Sequence, residues 1–83
     1  MPVEFSGEYN ALIVVQQDKP GVVAHITSAL SERGVNIAFM RLFRTGKGST
    51  AYTIVESDQR LPDDIAEELR ANLNITDVMV VQR

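Results

Sequence analysis

The sequence predicts an α+β fold in which one four-stranded antiparallel sheet carries two helices on one face. Four β-rich segments alternate with two segments of helical spacing, in the order β-α-β-β-α-β. Each half of this order is a strand, a helix and a returning strand, which is the split βαβ pattern. The chain has 83 residues, enough for one modest hydrophobic core but not for a deep catalytic cleft.

The chain divides into a short lead-in and one folded domain. Residues 1–8 (MPVEFSGE) are predicted to be a lead-in or linker because Pro2 and Gly7 interrupt them, and residues 9–83 are predicted to form the domain. The first strand is expected at residues 9–17 (YNALIVVQQ), which are rich in β-branched side chains and apolar on both faces. Such a strand is typical of the centre of a sheet.

Residues 21–33 are predicted to form the first helix. Val22, Ile26 and Leu30 are spaced four residues apart and form an apolar stripe. Pro20 suits the start of this helix, since a missing N–H costs nothing there, and Gly34 suits its end. His25 lies to the side of the apolar stripe, where a packed or interfacial histidine is the expected role.

The second half repeats the pattern. Residues 35–45 (VNIAFMRLFRT) are expected to be extended, residues 46–48 (GKG) to form a hairpin turn, and residues 49–57 (STAYTIVES) to form the returning strand. A second helix is expected at residues 61–72, with Pro62 in its first turn and Leu61, Ile65 and Leu69 as its apolar stripe. The last strand is expected at residues 74–81.

These elements together predict a ferredoxin-like βαββαβ sandwich, with the first and third strands central and the other two at the edges. The second strand is then an edge, yet its first part is apolar and free of proline and charge. Natural edge strands are normally protected from pairing by charged residues or proline. We therefore expect a homodimer through this edge and the adjacent first helix, with Val35, Ala38 and Met40 in the interface.

Composition excludes several classes of function. The net charge of −3 and the isoelectric point of about 4.9 argue against a general nucleic-acid or anionic-membrane binder. The absence of cysteine excludes a disulfide, a cysteine-ligated zinc site and an iron–sulfur cluster held by this chain. The start of the chain lacks the features of a secretory signal, so we expect a cytoplasmic domain.

The loop Asp18-Lys19-Pro20-Gly21 is the first candidate binding site. The N–H groups of Gly21, Val22 and Val23 have no partner within the helix, so together with the helix dipole they can hold an anion. Asp18 can accept hydrogen bonds from an ammonium group, and a free amino acid carries both charges. The alternative is an ordinary proline-initiated helix that binds nothing.

Asn36 is the second candidate, since it is polar at the start of an otherwise apolar strand and precedes Ile37. Its side-chain amide both donates and accepts hydrogen bonds, as an amino-acid ligand requires. The alternative is an asparagine that satisfies backbone groups of a turn.

DKPGVVAHIT, followed by RGVNIAFMRLFR, resembles the ACT domain, a small-molecule-sensing module with the same order of elements. Together with FSGEY and AYTIVESD, these segments resemble the C-terminal ACT domain of the β chain of bacterial iron–sulfur-dependent L-serine dehydratases. This resemblance implies a non-catalytic regulatory domain within an enzyme of serine metabolism and gluconeogenesis that converts L-serine to pyruvate and ammonia. It also implies an α chain as partner, with the iron–sulfur cluster on that chain and no cofactor here.

The resemblance also implies a set of ligand-binding residues. In the serine-inhibited ACT domains of phosphoglycerate dehydrogenase, the ligand lies between two protomers. The corresponding residues here are Gln16, Asp18, Pro20 and Gly21 of one protomer, with Val22 and Val23 beside them, and Asn36, followed by Ile37, of the other. Gln16 replaces a histidine of those relatives and Asp18 replaces an asparagine.

Two other functions remain open at this stage. The domain can be a dimerisation or assembly module without a ligand. The same order of elements also builds an RNA-recognition motif, but the base-stacking positions of its third strand would fall on Ser49 and Ala51, and residues 11–17 contain no Phe or Tyr. The acidic isoelectric point makes that reading unfavourable.

Overall fold

A computed structural model describes residues 9–44 and 49–82 and confirms the expected α+β fold. Its elements are β1 (Asn10–Gln17), α1 (Val22–Glu32), β2 (Phe39–Arg44), β3 (Thr50–Ser57), α2 (Ile65–Arg70) and β4 (Ile75–Val81). Within this part of the chain the sheet has the order β2-β3-β1-β4, and all its neighbours are antiparallel. β1 and β3 are therefore central and β2 and β4 are edges, as the sequence predicted.

The hydrophobic core lies between one face of the sheet and the two helices. In β1, Leu12 and Val14 face the helices and lie opposite Val55 of β3 and Val78 of β4, respectively. The helices contribute the apolar stripes that the sequence predicted. The buried members of the core from α1 and α2 are Val22, Ile26, Ala29, Leu30, Ile65 and Leu69.

α1 begins and ends at left-handed glycines. Gly21 has φ 88° and ψ −14°, and Gly34 has φ 74°, a region that glycine enters at little steric cost. After Gly34 the chain returns to the helix end, because the Val35 N–H donates to the Leu30 carbonyl at 3.0 Å. The sequence therefore predicted both ends of α1 to within one residue.

An ion-pair network joins the two helices at the end of α1. The Arg33 guanidinium donates to both carboxylate oxygens of Asp64, at 3.2 and 3.1 Å, and to Glu68 at 3.2 Å. The hydrogen bonds from Arg33 are the main cause that lowers the pKa of Asp64 below its ordinary value. The same bonds are the main cause that raises the pKa of Arg33. The group lies on the surface, so its contribution to stability is small.

β2 begins at Phe39, four residues later than expected. The Asn36 N–H donates to the Gln59 side chain at 2.5 Å, and the Asn36 carbonyl accepts from the Ser57 hydroxyl at 2.7 Å. Side chains thus bind the Asn36 backbone, and backbone pairing with β3 begins only at Ala38, whose N–H donates to the Glu56 carbonyl at 2.8 Å. Val35 packs into the core, so its expected place on the open edge was wrong.

α2 is also shorter than expected, because residues 61–64 precede the helix and do not form its first turn. The Leu61 backbone exchanges two hydrogen bonds with the Gln82 side chain, at 3.2 and 2.8 Å. The Ile65 N–H then closes a turn onto the Pro62 carbonyl at 3.2 Å. The expected hairpin turn at residues 46–48 lies outside the described residues. None of the helices in the described ranges is long and apolar enough to cross a membrane.

Candidate functional site

The eight expected ligand-binding residues lie at opposite ends of the sheet. Six of them follow or end β1, at the level where Gln16 pairs with Ala51. The other two, Asn36 and Ile37, precede β2, at the end where β1 starts and Asn10 pairs with Ser57. β1 and β2 run in the same direction, so the exit of one and the entry of the other cannot meet. The eight expected ligand-binding residues therefore do not come together within one protomer.

The first group is built around the start of α1. The left-handed conformation of Gly21 turns the chain into the helix, whose N-terminus has no side-chain cap. The Val22 N–H makes only a long bond, 3.4 Å, to the Lys19 carbonyl, and the first helical bond runs from the His25 N–H to the Gly21 carbonyl at 2.9 Å. A Cβ at Gly21 would meet no atom within 4 Å, so the loop is open on this side. First-turn N–H groups in this position can bind an anion.

Gln16 lies near the end of β1, two residues before Asp18, and is only 2% exposed. Its Oε1 accepts a hydrogen bond of 2.7 Å from the hydroxyl of Thr53, which is also buried. No hydrogen bond within the described part of the chain uses the Gln16 Nε2. Both N–H groups of the Gln16 Nε2 are therefore still available, and such donors suit a carboxylate.

Asp18 is held in place by its backbone and by an arginine. Its N–H donates to the Ser49 carbonyl at 3.0 Å, and its carboxylate forms an ion pair with Arg44, with 2.9 Å between Asp18 Oδ2 and Arg44 Nε. The Asp18 side chain is 26% exposed and the Arg44 side chain 64%. The negative charge that the sequence placed in this loop is therefore paired with a positive one.

Sequence reasoning did not assign Arg44 and Thr53 to the site. Gln16, Ala51 and Arg44 form one row across β1, β3 and β2, so they lie on the same face of the sheet. The register of the β2–β3 hairpin places Arg44 in this row. Once the position of the hairpin turn is known, the alternation of side chains along each strand is enough to put Arg44 and Gln16 on the same face. Thr53 could have been found as a polar residue in a central strand.

The second group exposes the Asn36 side chain, while its backbone is bound to Gln59 and Ser57. Ile37 beside it is 37% exposed. Ala38 and Met40, the other expected interface residues, are exposed at the β2 edge. The Asn36 backbone is thus held by the side chains of Gln59 and Ser57, and its own side chain is accessible to a ligand.

Residues outside these two groups offer little further chemistry. No group of three or more His, Cys, Asp and Glu side chains within residues 9–44 and 49–82 could hold a metal ion. His25 is half-buried in α1, and its Nε2 has no hydrogen-bond partner in the described structure. That placement agrees with a packed histidine.

The sequence profile of the ACT domain matches residues 10–79, nearly all of the described fold. The chain belongs to the ACT domain family. ACT domains are regulatory domains, and the resemblance that the sequence indicated is thereby confirmed.

Curated relatives and a solved structure agree with this assignment. The chain is 33% identical over 76 residues to the probable L-serine dehydratase β chain of Bacillus subtilis, covering 92% of this chain and 34% of that protein. It is 29% identical over 79 residues to D-3-phosphoglycerate dehydrogenase of Methanocaldococcus jannaschii, covering 95% of this chain and 15% of that protein. The ACT domain of the GTP pyrophosphokinase of Chlorobium tepidum superposes with a TM-score of 0.60 at 20% identity, covering 88% and 96% of the two chains. The chain thus spans about a third or less of the curated relatives named here.

Proposed function

We propose that this ACT domain binds L-serine or a closely related amino acid at the interface of a homodimer and thereby regulates a larger serine-metabolising protein. The observation that carries this proposal is the convergence of donors and one acidic group at the end of β1. Free N–H groups of α1 and the Gln16 Nε2 offer hydrogen bonds to a carboxylate, and Asp18 offers an acceptor to an ammonium group.

A two-fold homodimer would complete the site. If two β2 strands pair antiparallel across a two-fold axis, the start of each lies beside the end of the other. Asn36 of one protomer would then approach the loop from Asp18 to Gly21 of its partner. Two identical sites per dimer result, and the eight strands form one sheet with all the helices on one face. The apolar, exposed side chains of Met40 and Leu42 at the β2 edge support this pairing.

The parent protein is proposed from the similarity to the L-serine dehydratase β chain. In such an assembly an α chain would be the partner and would carry the iron–sulfur cluster, while this domain stays in the cytoplasm and senses the substrate. The purified chain should then release neither ammonia nor pyruvate from L-serine. Product formation that survives repurification would contradict this assignment.

Calorimetric titration of the purified chain with L-serine, and with glycine for comparison, tests ligand binding. A small ligand should bind with a Kd between about 1 μM and 1 mM, because few atoms contribute to its affinity. Asn36→Ala should weaken binding and leave the dimer intact, whereas Ser28→Ala on the exposed face of α1 should change neither. No heat and no thermal shift with a panel of amino acids at roughly tenfold the weakest expected Kd would overturn the proposal.

Dimerisation without a ligand is the second candidate, and one observation favours it. The Asp18 carboxylate is already paired with Arg44, so its negative charge is compensated without a ligand. Sedimentation separates the two candidates when it is combined with the titration. A dimer that binds no amino acid supports the assembly module, and a monomer that binds none contradicts both.

A further inference from the structure

The Asp18–Arg44 ion pair suggests how the proposed site selects its ligand. We propose that Arg44 binds the carboxylate of the ligand, so that a zwitterionic amino acid opens the ion pair and supplies an opposite charge to each partner. This inference rests on the proposed function. It adds a specificity-determining residue and restricts the ligand to molecules that carry both charges.

The first support is the position of Arg44. It lies in one row with Gln16, with only Ala51 between them, so the two side chains start about 10 Å apart on the same face of the sheet. Arg44 contacts Asp18, which in turn is three residues from the open N-terminus of α1. The ion pair therefore places Arg44 against the loop that leads into α1.

The second support is the chemistry of the unused donors. The ion pair is formed by the Arg44 Nε, and the two terminal nitrogens of the guanidinium make no hydrogen bond within the described part of the chain. The Gln16 Nε2 is likewise unused, although Gln16 is almost completely buried. A guanidinium binds a carboxylate through two parallel hydrogen bonds, and the glutamine amide adds a third donor.

The third support is the small cost of opening the pair. Arg44 is mostly exposed, and exposed ion pairs contribute little to stability. A zwitterion re-forms both charge contacts, whereas a simple carboxylate would leave Asp18 without a cation and a simple amine would leave Arg44 without an anion. The site should therefore reject both one-charge analogues.

Matched probes and variants test this inference. L-serine, 3-hydroxypropionate and ethanolamine are titrated calorimetrically into the wild-type chain. The first has both charges, the second only the carboxylate and the third only the ammonium. The variants are Arg44→Gln and Arg44→Lys, with Arg41→Gln as the control because Arg41 lies on the same strand but faces the other side of the sheet. Sedimentation of each variant checks that the dimer persists.

We expect L-serine to bind the wild-type chain and both analogues to bind at least tenfold more weakly. Arg44→Gln should weaken L-serine binding roughly tenfold or more, Arg44→Lys less, and Arg41→Gln less than twofold. L-serine binding that is unchanged in Arg44→Gln, or either analogue binding as tightly as L-serine, overturns the inference and leaves the proposed function standing. Failure of the wild-type chain to bind any amino acid overturns both.

Discussion

Thr53→Val tests whether the buried Gln16–Thr53 pair is part of a binding site or of the core. The substitution keeps the shape of the side chain but removes the hydroxyl that donates to the Gln16 Oε1 at 2.7 Å. Both residues are almost fully buried, so water cannot replace the lost partner. Leaving a buried acceptor unsatisfied costs about 1–3 kcal/mol. In a domain of this size each kcal/mol lowers Tm by about 4–8 °C.

The double variant Gln16→Met, Thr53→Val distinguishes structure from function. Replacing both polar partners by apolar groups of similar shape is often nearly neutral, so the double variant should recover most of the stability that Thr53→Val loses. It should nevertheless lose L-serine binding, because it removes the amide donor. Thermal unfolding and calorimetry of the single and double variants give both quantities. A Thr53→Val variant as stable as the wild-type chain, or a double variant with the summed loss, would refute this reasoning.

Three further predictions concern other parts of the fold. Gly21→Ala and its matched variant Gly34→Ala should each lower the free energy of unfolding by about 1–2 kcal/mol, because both glycines are left-handed and an added Cβ meets no atom within 4 Å, so only backbone strain acts. Denaturant unfolding checks this, and equal stability to the wild-type chain would contradict it. Asp64→Asn should lower Tm at neutral pH. Because folding lowers the pKa of Asp64, its contribution to stability is complete above the unfolded pKa of 3.8 and is lost as pH falls through the folded pKa. The Tm values of the wild-type chain and of Asp64→Asn, measured against pH, should therefore converge in acid. A difference in Tm that stays constant with pH would contradict this. Ala38→Lys should weaken the proposed dimer by placing a charge beside the β2 edge, which sedimentation at tens of micromolar measures; a wild-type monomer would count against the dimer.

Local patterns were sufficient to predict β1 and α1. β1 is a continuous apolar run that ends in Pro-Gly, and α1 has a four-residue apolar spacing between two glycines. The residues that predict each of these two elements lie within the element or directly beside it, so no long-range contact had to be known. The order of strands followed from the βαββαβ pattern and the handedness of its crossovers.

The start of β2 and the length of α2 could not be predicted in the same way. The backbone of Asn36 is satisfied by Gln59, and that of Leu61 by Gln82, each more than twenty residues away in sequence. Such long-range side-chain contacts produce no periodic pattern in the sequence from which they could be predicted. The role of Arg44 was also missed, because it depends on the register of three strands, whereas the loop from Asp18 to Gly21 is a local motif in the sequence. Thr53 was missed although it is a polar residue in a central strand.

The most direct test of the account is an NMR titration of the ¹⁵N-labelled chain with L-serine. We expect the backbone amides of Gly21, Val22 and Val23 and the side-chain amides of Gln16 and Asn36 to shift in one saturable transition, while the exposed face of α1 stays unchanged. The Asn36 shift would show that the partner protomer takes part. Saturable shifts confined to other residues, or no shifts up to about 10 mM ligand, would contradict an amino-acid site at this loop.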